Sequence, residues 1–259
     1  MGLLQKLHAG KIVIGMQNFS GNEAMVEILG YCGFDFVQID MEHSPATFET
    51  VGKLIRAADS AGIIPLVRVL TNNPYDIMKS LDLGAAGVRI PHIDTKEQAL
   101  KAVQSAKYPP DGFRGCCNSV RSTKYGAEDW NINWRRSNQN NLIIPLIESV
   151  EGVENFDGIL EVDGIDIISI GSRDLAQSFN LPEADFTHPD IKKEVLKLAD
   201  KAKKKGKFLM TTASPRYDVE YLRELYELGF RAFSFGTDLR MFTKFCTGLI
   251  TDIRKEFNY

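Results

Sequence analysis

The chain is poor in cysteine and histidine, has no long apolar run, and carries no excess of positive charge. Its four cysteines, Cys32, Cys116, Cys117 and Cys246, form no CxxC pair and no cluster with histidine. That excludes a zinc ribbon and leaves no disulfide framework to hold the fold. They read as reduced thiols, with the adjacent Cys116-Cys117 as two small residues in a loop. Lys+Arg number 31 against 34 Asp+Glu, a formal net charge of −3, and the longest basic block is Lys203-Lys204-Lys205. So little basic charge cannot neutralise a phosphate backbone, and no nucleic acid is expected as a partner. Apolar stretches such as Leu142-Ile143-Ile144-Pro145-Leu146-Ile147 fall far short of the roughly 20 residues of a spanning helix. The start MGLLQKLHAG lacks the apolar core of a signal peptide. A cytoplasmic protein with no membrane partner is the expectation.

What is present is an ordinary globular composition of 259 residues, 44% hydrophobic and 25% charged. Short β-rich apolar runs alternate with longer amphipathic segments along its whole length. Strands are expected at Ile12–Gln17, Asp35–Asp40, Ile64–Val69, Gly87–Pro91, Leu142–Glu148, Ile165–Gly171, Lys207–Thr212 and Arg231–Gly236. Helical patterns cover Asn22–Tyr31, Phe48–Ala61, Tyr75–Leu83, Lys96–Ala106, Val153–Leu160, Ile191–Lys205 and Val219–Leu228. Several end at glycines (Gly33, Gly62, Gly84, Gly206, Gly229) placed where a helix C-cap takes a left-handed residue. Eight βα units in about 250 residues match a closed (β/α)8 TIM barrel of the α/β class. An open doubly wound sheet is the alternative, but the turn Met16-Gln17-Asn18-Phe19-Ser20-Gly21-Asn22 has no GxGxxG. No linker divides the chain, so a single domain over 1–259 is expected. The final segment, Leu239–Phe257, aligns Phe242, Phe245, Cys246, Leu249, Ile250, Ile253 and Phe257 on one stripe of a long C-terminal helix. Such a helix serves either as the eighth barrel helix or as a reach towards a neighbouring subunit. The connection from Ile93 to Asn141 is oversized, as insertions serving a site or an interface are.

Function in a barrel is built at the C-terminal ends of the strands, and here those ends are polar. Strand two runs into Asp40-Met41-Glu42-His43, strand three ends at Arg68, strand five at Glu148, and strand six at Gly171-Ser172-Arg173-Asp174. A carboxylate ending the run Ile143-Ile144-Pro145-Leu146-Ile147 needs a cation, which a metal or Arg68 would supply. Neighbouring strand ends lie about 5 Å apart, so Asp174 could approach Glu148. Two carboxylates without cysteine suit a hard ion such as Mg²⁺ or Mn²⁺. Taken singly, Asp174 could equally cap a helix and Glu148 could pair with a lysine. His43, beside Asp40 and Glu42, is the proton-transfer candidate. His92 also faces the mouth, whereas His8 and His188 read as surface residues. A Schiff-base aldolase would need a lysine at a strand's C-terminal end. None is there: Lys11 and Lys207 lie at strand starts and Lys124 in the long loop.

Five segments, taken in order, resemble the HpcH/HpaI aldolase family. They are Phe34-Asp35-Phe36-Val37-Gln38-Ile39-Asp40-Met41-Glu42-His43, Val67-Arg68, Tyr108-Pro109-Pro110-Asp111-Gly112-Phe113-Arg114-Gly115, Ile147-Glu148 and Ile170-Gly171-Ser172-Arg173-Asp174-Leu175. The resemblance implies a class II, metal-dependent pyruvate aldolase on a (β/α)8 barrel, cleaving a 4-hydroxy-2-oxo acid to pyruvate and an aldehyde. It implies Glu148 and Asp174 as ligands of Mg²⁺, Mn²⁺ or Co²⁺, and Arg68 on the keto oxygen. It makes His43 the acid/base, supported by Asp40 and by Asp82, and Ser172 and Arg173 the holders of the pyruvate carboxylate. No nucleotide cofactor is expected, and a homo-oligomer, often a hexamer, is. Val69-Leu70 after Arg68 and Ser172-Arg173 before Asp174 depart from the residues usual in the family, which bears on substrate rather than core chemistry. Cys116, Cys117, Asn118 and Arg121 lie in a loop expected to approach the site. Two alternatives stay open: a carbon–carbon lyase acting on a CoA thioester, and a non-catalytic barrel that binds an oxo acid.

Overall fold

A computed structural model describes residues 1–181 and 183–257. Pro182 and the last two residues of the expected 1–259 domain lie outside the described residues. Eight parallel strands close into a barrel in sequence order: β1 (Val13–Asn18), β2 (Phe36–Asp40), β3 (Ile64–Arg68), β4 (Gly87–Ile90), β5 (Leu142–Ile147), β6 (Ile167–Ile170), β7 (Phe208–Thr212) and β8 (Phe230–Thr237). Each lies within two residues of its expected bounds at either end. The helices α2 (Glu23–Tyr31), α3 (Phe48–Ala61), α4 (Pro74–Asp82), α5 (Lys96–Ala106), α10 (Pro189–Lys204) and α11 (Val219–Glu227) fall where the periodicity places them. The segment expected as one helix after β5 is two short ones, α7 (Val150–Glu154) and α8 (Phe156–Leu160). A short helix precedes the barrel, α1 (Leu3–His8), and two more lie between strands, α6 (Trp130–Asn140) and α9 (Ser172–Ser178). None of these three was expected from periodicity.

Local chemistry explains the boundaries. Asn22, Thr47, Asn73, Thr95 and Asp218 each accept a backbone N–H at the start of the following helix, and Pro74 fills the first position of α4. All five glycines expected at helix ends have the left-handed backbone; Gly62, at φ +70°, closes α3 where a side chain would be strained.

Side chains along a strand alternate between the barrel interior and the helical layer, and each parity has its own core. Outward residues such as Val37, Ile39, Val67, Ile143 and Ile168 join the helices in the main core. Inward residues Val13, Phe36, Leu66, Leu142, Ile144, Ile167, Met210 and Ala232 pack with Leu3 and Leu7, so that α1 closes the N-terminal end of the barrel. Further along the strands the interior turns polar. Gln17 Nε2 donates to Thr212 Oγ1 at 2.9 Å, and Arg89 Nη1 donates to Gln38 Oε1 at 3.0 Å. At the strand ends it is charged: Asp40 and Arg68 are register partners at the C-terminal ends of β2 and β3.

The oversized connection packs away from the mouth, contrary to expectation. Because α5 runs back towards the strand starts, the segment after it lies on the lower flank of the barrel. There Arg121 bonds Asp59 and the carbonyl of Leu83, and Asn138 bonds the backbone of Tyr108. Cys116 and Cys117 are free and exposed there. The apolar stripe of α12 (Asp238–Phe257) is likewise not packed on its own barrel: Phe242, Phe245, Leu249, Ile250, Ile253 and Phe257 are all exposed.

Candidate active site

At the C-terminal ends of β2 to β6 the structure gathers Asp40, Glu42, His43, Arg68, Arg89, His92, Glu148 and Asp174. Asp40, the last residue of β2, is fully buried and accepts from Arg68 Nε through Oδ2. Its Oδ1 accepts the backbone N–H of His43 at 2.7 Å. Asp40 therefore shapes the turn that carries His43 and does not bond its ring. Arg68 makes a second ion pair, Nη1 to Glu42 Oε2 at 2.8 Å, and among the described residues no hydrogen bond occupies its Nη2. The His43 ring is largely exposed, with Nε2 3.6 Å from Glu42 Oε2.

Glu148 directly follows β5 and is only 6% exposed. Arg68, weighed from the sequence as its counter-charge, is committed to Asp40 and Glu42 instead. Glu148 Oε1 accepts the backbone N–H of His92 at 3.1 Å and lies 3.1 Å from His92 Nδ1. Burial pushes its carboxyl above the ordinary carboxylate range against the pull of His92, and the charges of Asp174 and Glu42 add to the rise. Space for Glu148 depends on Gly171: a Cβ there would stand 2.9 Å from Glu148 Cβ and 3.0 Å from Oε2. Asp174 is the third residue of α9, exposed, and is not the helix cap; that position is Gly171, which offers no side chain to the first N–H groups of Ser172 and Arg173. Arg173 lines a small recess with Glu183, Asp185 and Ser214.

Asp82 is not brought to His43 within this chain. As the last residue of α4 it lies towards the opposite end of the barrel, where its Oδ1 accepts from Arg114 Nη2 at 2.6 Å. The sequence reading also missed a residue that the fold places here. Arg89 lies within the buried strand Gly-Val-Arg-Ile, paired in register with Arg68. Burial, and then the neighbouring Arg68, bring its guanidinium down to about 10. A single arginine in a four-residue apolar strand was the available signal.

These residues test whether a divalent cation fits. Four carboxylates (Asp40, Glu42, Glu148, Asp174) face two guanidiniums (Arg68, Arg89), an excess of two negative charges, and the most buried of the unpaired carboxylates holds its charge at a cost. All the carboxylate donors are hard oxygens. Among the described residues no three His, Cys, Asp or Glu side chains converge as a complete cage. Glu148 and Asp174 would thus supply a partial set, completed by water and substrate as is usual for Mg²⁺. Beneath them Gln38 Nε2, Arg89 Nε, Ser169 Oγ and Ser234 Oγ are buried without a hydrogen-bond partner among the described residues. The arrangement can hold a small anion and stabilise negative charge developing on an oxygen.

Comparison with known proteins agrees with this geometry. The sequence model of the HpcH/HpaI aldolase/citrate lyase family matches residues 14–244. A 5-keto-4-deoxy-D-glucarate aldolase of Shigella boydii serotype 18 is 35% identical over 237 residues, covering 91% of this chain and 90% of that protein. The crystal structure of an HpcH/HpaI aldolase from Desulfitobacterium hafniense DCB-2 superposes with a TM-score of 0.88 at 30% identity, covering 98% of this chain and 97% of the other. That of the citrate synthase SbnG does so with a TM-score of 0.87 at 30% identity, covering 100% and 99%.

Proposed function

The chain belongs to the HpcH/HpaI aldolase/citrate lyase family, and from that premise we propose that it reversibly cleaves a 4-hydroxy-2-oxo acid into pyruvate and an aldehyde. The observation that carries this reading is Glu148, a buried carboxylate held beside Asp174 at a mouth with two surplus negative charges. Glu148 and Asp174 would hold a divalent cation, Mg²⁺, Mn²⁺ or Co²⁺, which when bound supplies Lewis-acid polarisation of the keto oxygen.

The chain's own residues supply the rest. The ring of His43, oriented by Glu42, takes the proton of the 4-hydroxyl, directly or through one water. The C3–C4 bond then breaks, the aldehyde leaves, and the electron pair moves onto the keto oxygen. Arg68, clamped by Asp40 and Glu42 through Nε and Nη1, presents Nη2 to that developing charge. Returning the proton to C3 yields pyruvate. The N–H groups of Ser172 and Arg173, uncapped by any side chain, take the pyruvate carboxylate. Asp82 has no part in this scheme within one protomer.

Because a relative at 35% identity is a 5-keto-4-deoxy-D-glucarate aldolase, that hydroxy-oxo diacid is the first substrate to try. Coupled detection of pyruvate across 4-hydroxy-2-oxo acids, with EDTA and with Mg²⁺, Mn²⁺ or Co²⁺ restored, tests the reading. Undiminished turnover in chelator overturns the metal assignment, and release of no pyruvate from any of them overturns the reaction. We also read the protein as a cytoplasmic homo-oligomer, with the hexamer of the family as its expected state. Supporting this, α12 exposes six large apolar side chains along its stripe, a surface that a second copy would cover. No described helix is long and apolar enough to cross a membrane. Removing residues 239–257 should lower the mass seen by light scattering; an unchanged mass would exclude that helix from assembly.

A further inference from the structure

His92 is the residue at the mouth whose conformation the scheme above leaves unexplained. It stands just past β4 with φ at +54°, in the left-handed region where a side chain is disfavoured. Its imidazole is largely exposed, with 69% of the side-chain surface accessible, so packing does not account for it. What the strained turn does is aim two nitrogens of one residue at one oxygen. The backbone N–H and Nδ1 each lie 3.1 Å from Glu148 Oε1. The following residue anchors the turn, since the N–H of Ile93 donates to the carbonyl of Leu146 on β5 at 3.1 Å. The far side of the ring, Nε2, lies 3.7 Å from Glu42 Oε1. Glu148 Oε2, against Gly171, receives no hydrogen bond from the described residues. One oxygen of the carboxylate is therefore occupied and the other is free.

We infer that His92 is a positioning residue: it fixes Glu148 through Oε1 so that Oε2 is the atom offered to the divalent cation. The backbone N–H of His92 is the donor to Oε1, and the ring adds Nδ1 as a second polar contact to the same oxygen. Outer polar contacts that orient a ligating group are worth roughly 10- to 100-fold in metal affinity when lost. The inference rests on the reading of Glu148 as a cation ligand, and the two can be tested separately.

Two substitutions divide the role of the ring from that of the backbone. His92→Gly keeps the N–H, relaxes the left-handed turn and removes Nδ1. His92→Asn keeps a donor, Nδ2, the same number of bonds from Cα, in a residue that tolerates this backbone. Mn²⁺ binding to the full-length protein without substrate, followed by calorimetry and by the electron paramagnetic resonance of the bound ion, is the readout. The expected result is a loss of about 10-fold or more in affinity for H92G and less than about 3-fold for H92N. Wild-type affinity in H92G, or equal losses in the two variants, would overturn the role of the imidazole. Glu148→Gln is the control: if it too binds Mn²⁺ like the wild type, the ligand assignment itself fails. If it loses Mn²⁺ while H92G does not, only the inference about His92 fails. Thermal midpoints show whether each variant is folded; should H92G not be, His92→Ala, which also keeps the N–H and removes Nδ1, takes its place with the same expected loss and the same overturning results.

Discussion

The two ends of the barrel are built on the same strands and do opposite things. At the N-terminal end the inward residues are Val13, Phe36, Leu66, Leu142, Ile144, Ile167, Met210 and Ala232, closed over by Leu3 and Leu7. At the C-terminal end the inward positions include Asp40 and Arg68, with Glu148 just beyond the end of β5. On β2 the change takes five residues, from Phe36 through Gln38 to Asp40. Burial of apolar surface is thus concentrated below, where it stabilises, and buried charge above, where it would be a cost to the fold on its own. Stability and chemistry are separable by height in this molecule, and substitutions at the two levels should differ in which they disturb.

The largest effect is expected at the upper level. Glu148→Gln removes a charge the fold keeps at a cost, so turnover should fall by about 10³-fold or more, consistent with several kcal/mol of lost charge stabilisation. The thermal midpoint should hold or rise; a lower one, in calorimetry beside the activity assay, would make Glu148 a structural residue. Next, Phe36→Ala at the lower level should cost about 3–5 kcal/mol of stability, read by denaturant unfolding, because Phe36 is fully buried with its ring where a Gly15 side chain would be. Activity per folded molecule should change little, and a loss as large as that of E148Q would break the separation. Arg68→Lys keeps the charge but loses the planar fork that spans Asp40 and Glu42. It should lower kcat by about 10²-fold with a smaller effect on KM, and a change in KM alone would remove Arg68 from the reacting oxygen.

The smallest effect lies outside both levels, at Glu128 on the lower flank. Its carboxyl, bonded first by Arg136 and then by Asn133, is brought from 4.5 down to about 2. A depressed folded value contributes stability that is present in full above about pH 4.5 and is lost as the pH falls towards 2. Acid unfolding of Glu128→Gln should accordingly be less steep than that of the wild type across that window, while above it the variant is slightly less stable. Equal slopes would show that the ion pair leaves the fold indifferent.

Much of the site was legible because polar residues at the ends of apolar strands conflict with packing, and the conflict is local. Asp40, Arg68 and Glu148 each end a run whose other members are inside. Arg89 was overlooked because a lone arginine in a short strand reads as an interruption until its register partner, Arg68, is known. Asp82 was placed with the site by the family resemblance, and the Ile93–Asn141 connection by its length. In the structure the direction of α4 and α5 carries both towards the other end. The short helices α1 and α6 escaped notice because periodicity over one to three turns is weak, and α9 was legible only as the helix that Asp174 could cap. The break between α7 and α8 falls at Asn155, whose backbone is not helical.

By itself the sequence determined the eight alternating units and the glycine helix ends, because these depend on residues within a few positions of one another. It also determined the family. The closed barrel was expected from the count of units, and the strands do close; tertiary structure alone decided that Arg68 turns to Asp40, 28 residues away, and that Glu148 is held by His92, 56 residues away. Those pairings depend on which strand ends become neighbours, and closing the barrel makes them so.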